Sequence, residues 1–286
     1  MVGNVAVTRV EERIYNFPIQ DFIPDATPER LTANLDWLEC YGVNDLATMT
    51  MPVNGYVLDS GDRRILVDTC VGLEHSESEP ESLFLKRMQA CGYDPDTIDV
   101  VICTHFHYDH IGWNTTVVGA ERVPTFRNAR YLFAQDEWDG AQEWTQESAL
   151  EAVLHETFDR HVAFVVTNGR ADLVSGEIAI TPDVAIIPTP GHTPGHLSVA
   201  IKSEGAVALI TGDAVHHPLQ LAEPTISTTA DHDPPTTVAT RERLIDWAIN
   251  QDALIIGSHF SGPGMGYISQ KDDRTTFEPT RRERTS

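Results

Sequence analysis

Cysteine is scarce in this chain of 286 residues: Cys40, Cys70, Cys91 and Cys103 are the four, and no two form a C-x-x-C pair. That spacing argues against a disulfide framework and against a thiolate zinc site, and it predicts buried, reduced thiols. Long apolar runs are absent too. No stretch approaches the roughly 18 apolar residues of a membrane span. The opening MVGNVAVTRVEERIYNF lacks the basic segment and apolar run of a signal peptide, so a soluble, cytoplasmic protein is expected. Basic residues are few: 20 Lys and Arg stand against 43 Asp and Glu, a formal net charge of −23. Such a surface repels phosphate backbones and anionic lipid, which argues against nucleic-acid or membrane partners. It favours a neutral or weakly charged small-molecule substrate, since only bound metal ions would locally reverse the field. Two nucleophile signatures are also missing. There is no G-x-S-x-G elbow, and no thiol sits in a Cys/His motif.

What is present is an ordinary globular composition, 41% hydrophobic, enough for one core. No repeat or low-complexity linker divides the chain, so a single domain over 1–286 is expected. Its core would span about 52–262, after an N-terminal extension (1–51), with a polar tail (270–286) expected to be frayed. Residues 51–59 and 63–68 read as a hairpin across Ser60-Gly61-Asp62. Ser82–Cys91 reads as a helix stopped by Gly92, and Ile98–Cys103 as a short buried strand. Residues 136–161 look helical, with Val153, Leu154 and Phe158 on one side. A β-rich block then covers about 163–212, through FVV, EIAI, VAIIP, LSVAI and VALI. Arg241–Ile249 reads as a helix and Ala253–Ile256 as a last strand. This order does not alternate βα steadily. It suits two mixed sheets packed together with helices outside.

The chemistry-bearing residues gather at strand ends. His105, His107, Asp109 and His110 lie within six positions directly after Ile98–Cys103. In extended chain, residues two apart point the same way, so His105 and His107 converge on one ion. Asp109 and His110 come where the chain must turn, and face a second ion beside the first. Imidazole and carboxylate are what zinc and similar divalent ions take when thiolate is absent. Three further ligand types each follow an apolar run: His192 in PTPGHTPGH, Asp213 in LITGD and His259 in LIIGSHF.

With THFHYDHIG, PTPGHTPGH, TGD and GSHF in that order, the chain resembles the metallo-β-lactamase superfamily over about Pro52 to Phe260. The resemblance implies an α/β (α+β) fold, a four-layer αββα sandwich of two mixed β-sheets flanked by helices. It also implies a ligand set: His105, His107 and His192 on one ion, Asp109, His110 and His259 on the other, and Asp213 bridging both. The ions would most simply be two Zn2+ per chain, with Mn2+, Co2+ or Fe2+ as alternatives. Asp68, closing ILVDTC, falls where the family keeps an aspartate that orients a ligand histidine. His196, the second histidine of the PGH pair, is expected to support the turn. His155, His161 and His232 lie in no motif and are expected to be solvent-exposed.

The residues then imply hydrolysis. Two divalent ions about 3.5–4 Å apart lower the pKa of a bridging water, and the resulting hydroxide attacks a carbonyl or phosphoryl centre. Asp109 would both bind metal and guide the proton to the leaving group. Cysteine-containing β-lactamase sites, glutathione thioesterases with a long C-terminal domain, nucleases and flavodiiron-type proteins each fit poorly. Hydrolysis of a small lactone or carboxylic ester remains, with organophosphate triesters as the nearest rival. Acyl-homoserine lactonases carry a tyrosine where this chain has His216. A histidine there is more like the methyl parathion hydrolase group, and His216 is expected either to donate a hydrogen bond to substrate or to support a metal ligand. Phe17, Phe22, Trp37, Tyr41, Phe133, Trp138, Trp144 and Phe158 are candidates for pocket walls, with core or homodimer packing as the alternative for each. From a different class, a non-catalytic metal-binding scaffold or sensor is the second alternative.

Overall fold

The computed structural model describes the chain except residues 43–45, 73–82, 145–147, 273 and 280–286. Six strands form one sheet: β1 (Ala6–Pro18), β2 (Thr48–Ser60), β3 (Arg63–Val67), β4 (Val100–Ile102), β7 (Arg130–Ala134) and β8 (Ala171–Val174), in that spatial order. Between β4 and β7, β5 (Thr115–Val118) and β6 (Glu121–Pro124) make a separate hairpin. The second sheet runs in reverse order from β15 (Arg274–Glu278) through β14 (Met265–Lys271), β13 (Leu254–Ile256), β12 (Ala206–Ile210), β11 (Leu197–Ser203) and β10 (Val184–Pro188) to β9 (Ile178–Ala179). Both sheets mix parallel and antiparallel neighbours. The extension before residue 52 joins the first sheet. It supplies β1, paired along nearly all of β2 with an irregularity at Glu11/Arg13.

The helices are α1 (Ile19–Phe22), α2 (Pro28–Ala33), α3 (Leu35–Leu38), α4 (Leu83–Ala90), α5 (Tyr108–Ile111), α6 (Gln135–Ala141), α7 (Ala149–Phe158), α8 (Phe164–Thr167), α9 (Leu219–Ala222) and α10 (Pro234–Gln251). They cover the outer faces. Period-2 alternation divides each central strand between two cores. In β3, Ile65 and Val67 face the space between the sheets, while Leu66 faces the helical side. In β12, Ala208 and Ile210 face inward and Leu209 outward. With both faces covered, these strands are continuous apolar runs, as doubly buried strands must be. The result is the four-layer αββα sandwich. Among the described residues no helix is long and apolar enough to cross a membrane.

Several local expectations are corrected. FVV (164–166) is helical, continuing a π-helical turn at Asp159–Ala163 that follows α7. Helical spacing brings Val162 and Val165 together into the first sheet's outer core, which outweighs the β preference of valine. The region 136–161, expected to be helical, holds α6 and α7, and α7 starts from a Ser148/Glu151 capping box. The long helix begins before Arg241: Asp233 caps its N-terminus and Pro234 takes the first position. Ser82, the expected start of α4, and residues 280–286 of the tail lie outside the described residues. The described tail is not frayed. β15 pairs with β14, and Phe277 is buried against Tyr41 and Phe260, its ring stacked on Tyr41 at 5.1 Å. His161 is buried, not exposed, with Nδ1 2.9 Å from the Thr115 hydroxyl. His155 is partly buried, 3.5 Å from Asp159, and His232 is exposed. Of the thiols expected inside, Cys70 and Cys103 are buried, but Cys40 and Cys91 are exposed.

Candidate metal centre

Parallel pairing sets where the site lies. β3 and β4 run in the same direction, as do β12 and β13, so their C-terminal ends share an edge. β10, two antiparallel steps from β12, ends there as well. Asp68 follows β3, His105 follows β4, His192 follows β10, Asp213 follows β12 and His259 follows β13. Chain segments far apart in sequence thus deliver their polar residues to one end of the sandwich.

There the ligand-type side chains fall into three groups, one of them, His192, His216 and Asp231, sharing His192 with another. Ligand-type atoms of His105, His107, His192 and Asp213 lie within 4.8 Å of one another, as do those of Asp109, His110 and His259. Asp213 links the groups: its Oδ2 is 3.5 Å from His192 Nε2 and 3.3 Å from His110 Nε2, and its Oδ1 is 3.1 Å from His259 Nε2. All seven residues are buried except His107, which is partly so.

Hydrogen bonds to the far side of each ring decide which nitrogen faces inward. Asp68 Oδ2 takes the Nδ1 proton of His110 at 2.8 Å. The Pro52 carbonyl takes that of His259 at 2.9 Å, and Asp231 Oδ1 that of His192 at 3.0 Å. The Nε2 atoms of these three rings are left facing the centre. Asp68 also accepts from the Thr104 amide at 2.7 Å and the Thr104 hydroxyl at 3.0 Å. It does so with a φ of 59°, a left-handed conformation that aspartate tolerates better than most residues.

These residues fit divalent cations. His107 Nδ1 and His192 Nε2 are 3.0 Å apart, and His110 Nε2 and His259 Nε2 3.3 Å, so nitrogen lone pairs are crowded together. His105 Nε2 is buried with no hydrogen-bond partner among the described residues. Burial holds the His105 and His107 imidazoles well below the usual histidine range, whereas Asp213 and the neighbouring carboxylates outweigh burial and raise His110 and His259, so the centre draws positive charge, which a metal ion would supply in place of protons. Asp109, Asp213 and Asp231 bring negative charge to a cavity whose described lining includes no Lys or Arg. A cation at the centre answers each of these features.

His196 is elsewhere occupied. Its Nδ1 bonds the Thr189 hydroxyl at 2.8 Å, and its Nε2 accepts the Asp213 amide at 2.9 Å, so it supports the turn. His216 lies at the centre outside the groups of His105 and of Asp109, and its group is the one with His192 and Asp231. Its Nε2 is 3.0 Å from Asp213 Oδ2, and its ring sits between Phe22, at 5.0 Å, and His259, at 5.8 Å. Nothing in its sequence context singled out Asp231, which braces His192 and accepts the Thr228 amide at 2.9 Å. Burial would raise the Asp231 carboxyl, but the His192 hydrogen bond and the neighbouring imidazoles outweigh it and hold it down at about 2. Arg241 was likewise missed. Fully buried in α10, it donates to the carbonyls of Ala214, Pro224 and Ile226 at 2.7–3.0 Å and secures the segment after Asp213.

The centre opens into a cavity of about 620 Å³. Its apolar walls include Phe22, Met51, Trp144, Leu154 and Pro194. Of the aromatics expected to wall a pocket, Phe22 and Trp144 do so. Phe133, Phe158, Trp37 and Tyr41 are buried in the cores, and Phe17 and Trp138 pack against them. Met51, Leu154 and Tyr108 were not anticipated.

Fold and site together define a class. A model of the metallo-beta-lactamase superfamily matches residues 49–259, and the chain belongs to that superfamily. Among its relatives is an N-acyl homoserine lactonase of Bacillus cereus, 29% identical over 189 residues, covering 58% of this chain and 65% of the relative. Another is a probable metallo-hydrolase of Bacillus subtilis strain 168, YflN, 29% identical over 183 residues, covering 60% of this chain and 68% of that protein. The match thus spans just under two thirds of the lactonase. Two solved structures share the fold at a TM-score of 0.80, each covering 99% of this chain and 97% of its own. One is AidC, a dizinc quorum-quenching lactonase in complex with a product, 19% identical. The other is the hydrolase AbOPH, of the beta-lactamase superfamily, 23% identical.

Proposed function

We propose that this protein is a metal-dependent hydrolase that opens a lactone or carboxylic ester of a small, neutral molecule. The observation that carries this reading is the juxtaposition of two ligand groups sharing Asp213 with an open, largely apolar cavity free of Lys and Arg among its described lining. A carboxylate or phosphate-bearing substrate would find no side-chain cation there beyond histidine. A neutral ester has its acyl or alkyl part matched by Phe22, Met51, Trp144 and Leu154. The cavity also favours turnover over a scaffold role, because structural metal sites are closed. The relatives named as lactonases support the ester over other scissile bonds.

His105, His107 and His192 would hold one ion and Asp109, His110 and His259 the other, with Asp213 on both. Divalent ions so placed, most simply two Zn2+, supply Lewis acidity and lower the pKa of water toward neutrality. The chain's own groups do the rest. Asp109 borders the cavity and lies 3.6 Å from His259 Nε2 and 3.8 Å from His110 Nε2. It takes the proton of the attacking water and returns it to the departing alkoxide, so atoms and charge balance over the cycle. The N–H at Nε2 of His216, already aimed at Asp213, is a donor at the centre outside the groups of His105 and of Asp109, and it serves a substrate oxygen arriving there. The wall residues exclude bulk water from one side of the ester.

A second reading, hydrolysis of organophosphate triesters, is favoured by that same His216 and by the neutrality of such esters. Measuring kcat/KM for simple lactones, acyl-homoserine lactones, aryl esters and methyl parathion in one buffer and metal condition separates the two. The highest value is expected for a lactone or ester. A triester exceeding every one of them by about tenfold, roughly 1.4 kcal/mol of transition-state preference, overturns the first reading. His216→Phe should lower kcat/KM by about tenfold without loss of metal, the scale of one hydrogen bond at the reacting centre. Unchanged kcat/KM removes His216 from the mechanism.

A further inference from the structure

Glu137 belongs to none of the ligand groups and does not line the cavity, yet it is only 2% exposed, in the first turn of α6. Its Oε1 accepts the Phe106 amide at 3.0 Å, and Phe106 lies between His105 and His107. Its Oε2 accepts the Gly195 amide at 2.9 Å, three residues beyond His192. The first of these loops leaves β4 in one sheet, and the second joins β10 to β11 in the other. One carboxylate therefore ties together the two segments that carry the histidines of the first group. Burial pushes that carboxyl above its usual range, and no Lys or Arg is among the groups that counter the shift. An ionised group buried without a cation is costly to keep, and the Thr193 side chain, the Phe106 and Gly195 amides and the nearby His192 ring offset that cost.

The packing around it is equally close. A Cβ on Gly195 would meet the Glu137 amide nitrogen at 2.0 Å, and one on Gly140 would meet Pro194 Cγ at 3.0 Å. The PGHTPGH loop therefore lies directly on the backbone of α6, with no side chain at Gly195 to separate them. The geometry of His107 and His192, whose facing nitrogens are 3.0 Å apart, depends on how the two loops are held.

We propose that Glu137 is a positioning residue that sets the spacing between the His105/His107 pair and His192, and thereby the affinity of the first ion site. The inference rests on reading those histidines as metal ligands. A carboxylate accepts through both oxygens. Glutamine of nearly the same shape must turn its NH2 toward one of the two amides, so Glu137→Gln breaks one link while leaving the packing volume intact. Glu137→Asp lacks the reach to hold both.

The test is a zinc titration of metal-free wild type and Glu137→Gln against a chromophoric chelator, with circular dichroism and thermal melts on the same samples. It is repeated in a His259→Ala background, where the first group alone remains complete. In folded Glu137→Gln, first-site zinc affinity is expected to fall about 10–100-fold, the range for residues that orient ligands. The second equivalent should bind as in wild type. Wild-type affinity at the first site in the folded variant overturns the proposal. So does an equal loss at both sites, which would mark general loosening. Failure of wild type itself to bind zinc would instead overturn the metal reading beneath it. Should Glu137→Gln not fold, the same titration on Glu137→Asp decides, and wild-type affinity there overturns the proposal.

Discussion

His110 and His192 are braced in the same manner from opposite sides of the centre, one by Asp68 at 2.8 Å and the other by Asp231 at 3.0 Å. The two braces come from different kinds of structure. Asp68 directly follows a regular strand, parallel to the strand that precedes His105, and its amide donates to the Ile102 carbonyl at 2.8 Å just past the ladder. Asp231 sits in the irregular stretch between α9 and α10, held by the Thr228 amide and by neighbours that Arg241 secures. The first brace is positioned by a repeating pattern and the second by a set of particular contacts. Both do the same chemical work on an imidazole.

The comparison can be tested from its shared point outward. Asp213→Ala removes the carboxylate common to both groups. It should abolish stable binding at one site at least and reduce kcat by roughly three orders of magnitude or more. Elemental analysis and kinetics on one sample check this; full metal content with near-normal turnover would separate Asp213 from the centre.

Asp109→Asn comes next. An amide is a poorer ligand and cannot take a proton, so kcat should fall by about 10²–10⁴ while the protein stays folded. Metal content must be measured alongside, because a variant that keeps both metals and its kcat removes the proton role.

The braces themselves should give smaller, paired effects of about 10–100-fold in metal affinity. Asp68→Asn is expected to weaken the site containing His110, and Asp231→Asn the site containing His192. Asparagine also tolerates the left-handed backbone at residue 68, so the fold should survive. Competition titrations that show both variants weakening the same site would undo the distinction between the two braces.

That contrast also explains what was legible beforehand. The doubly buried strands announced themselves as short apolar runs, and the candidate ligands as polar residues placed directly after them. Two mixed sheets suited those signals, while the four-layer sandwich came from the resemblance carried by the H-x-H-x-D-H series and the motifs after it. What the pattern did not carry depends on single contacts. Phe277 anchors β15 alone in an otherwise polar tail, so average polarity concealed a strand. Val162 and Val165 are β-prone residues that tertiary packing makes helical. His161 is buried because the Thr115 hydroxyl satisfies it, and no spacing in sequence connects the two. Asp231 lies far along the chain from His192, and Glu137 far from Phe106 and Gly195, whose amides it accepts, and neither belongs to a motif. Among the aromatics, composition named the candidates but not their destinations: Phe133 and Phe158 fill a core, whereas Phe22 reaches the cavity from the N-terminal extension.

The account stands most directly on where ions bind. Crystals of the zinc-replete protein, measured by anomalous diffraction at the zinc edge, should show two peaks per chain. One is expected within about 2.0–2.2 Å of ligand atoms from His105, His107 and His192, the other at similar distances from Asp109, His110 and His259, with Asp213 touching both. A single peak, or a peak coordinated by His196 or by His216 with Asp231, would contradict it.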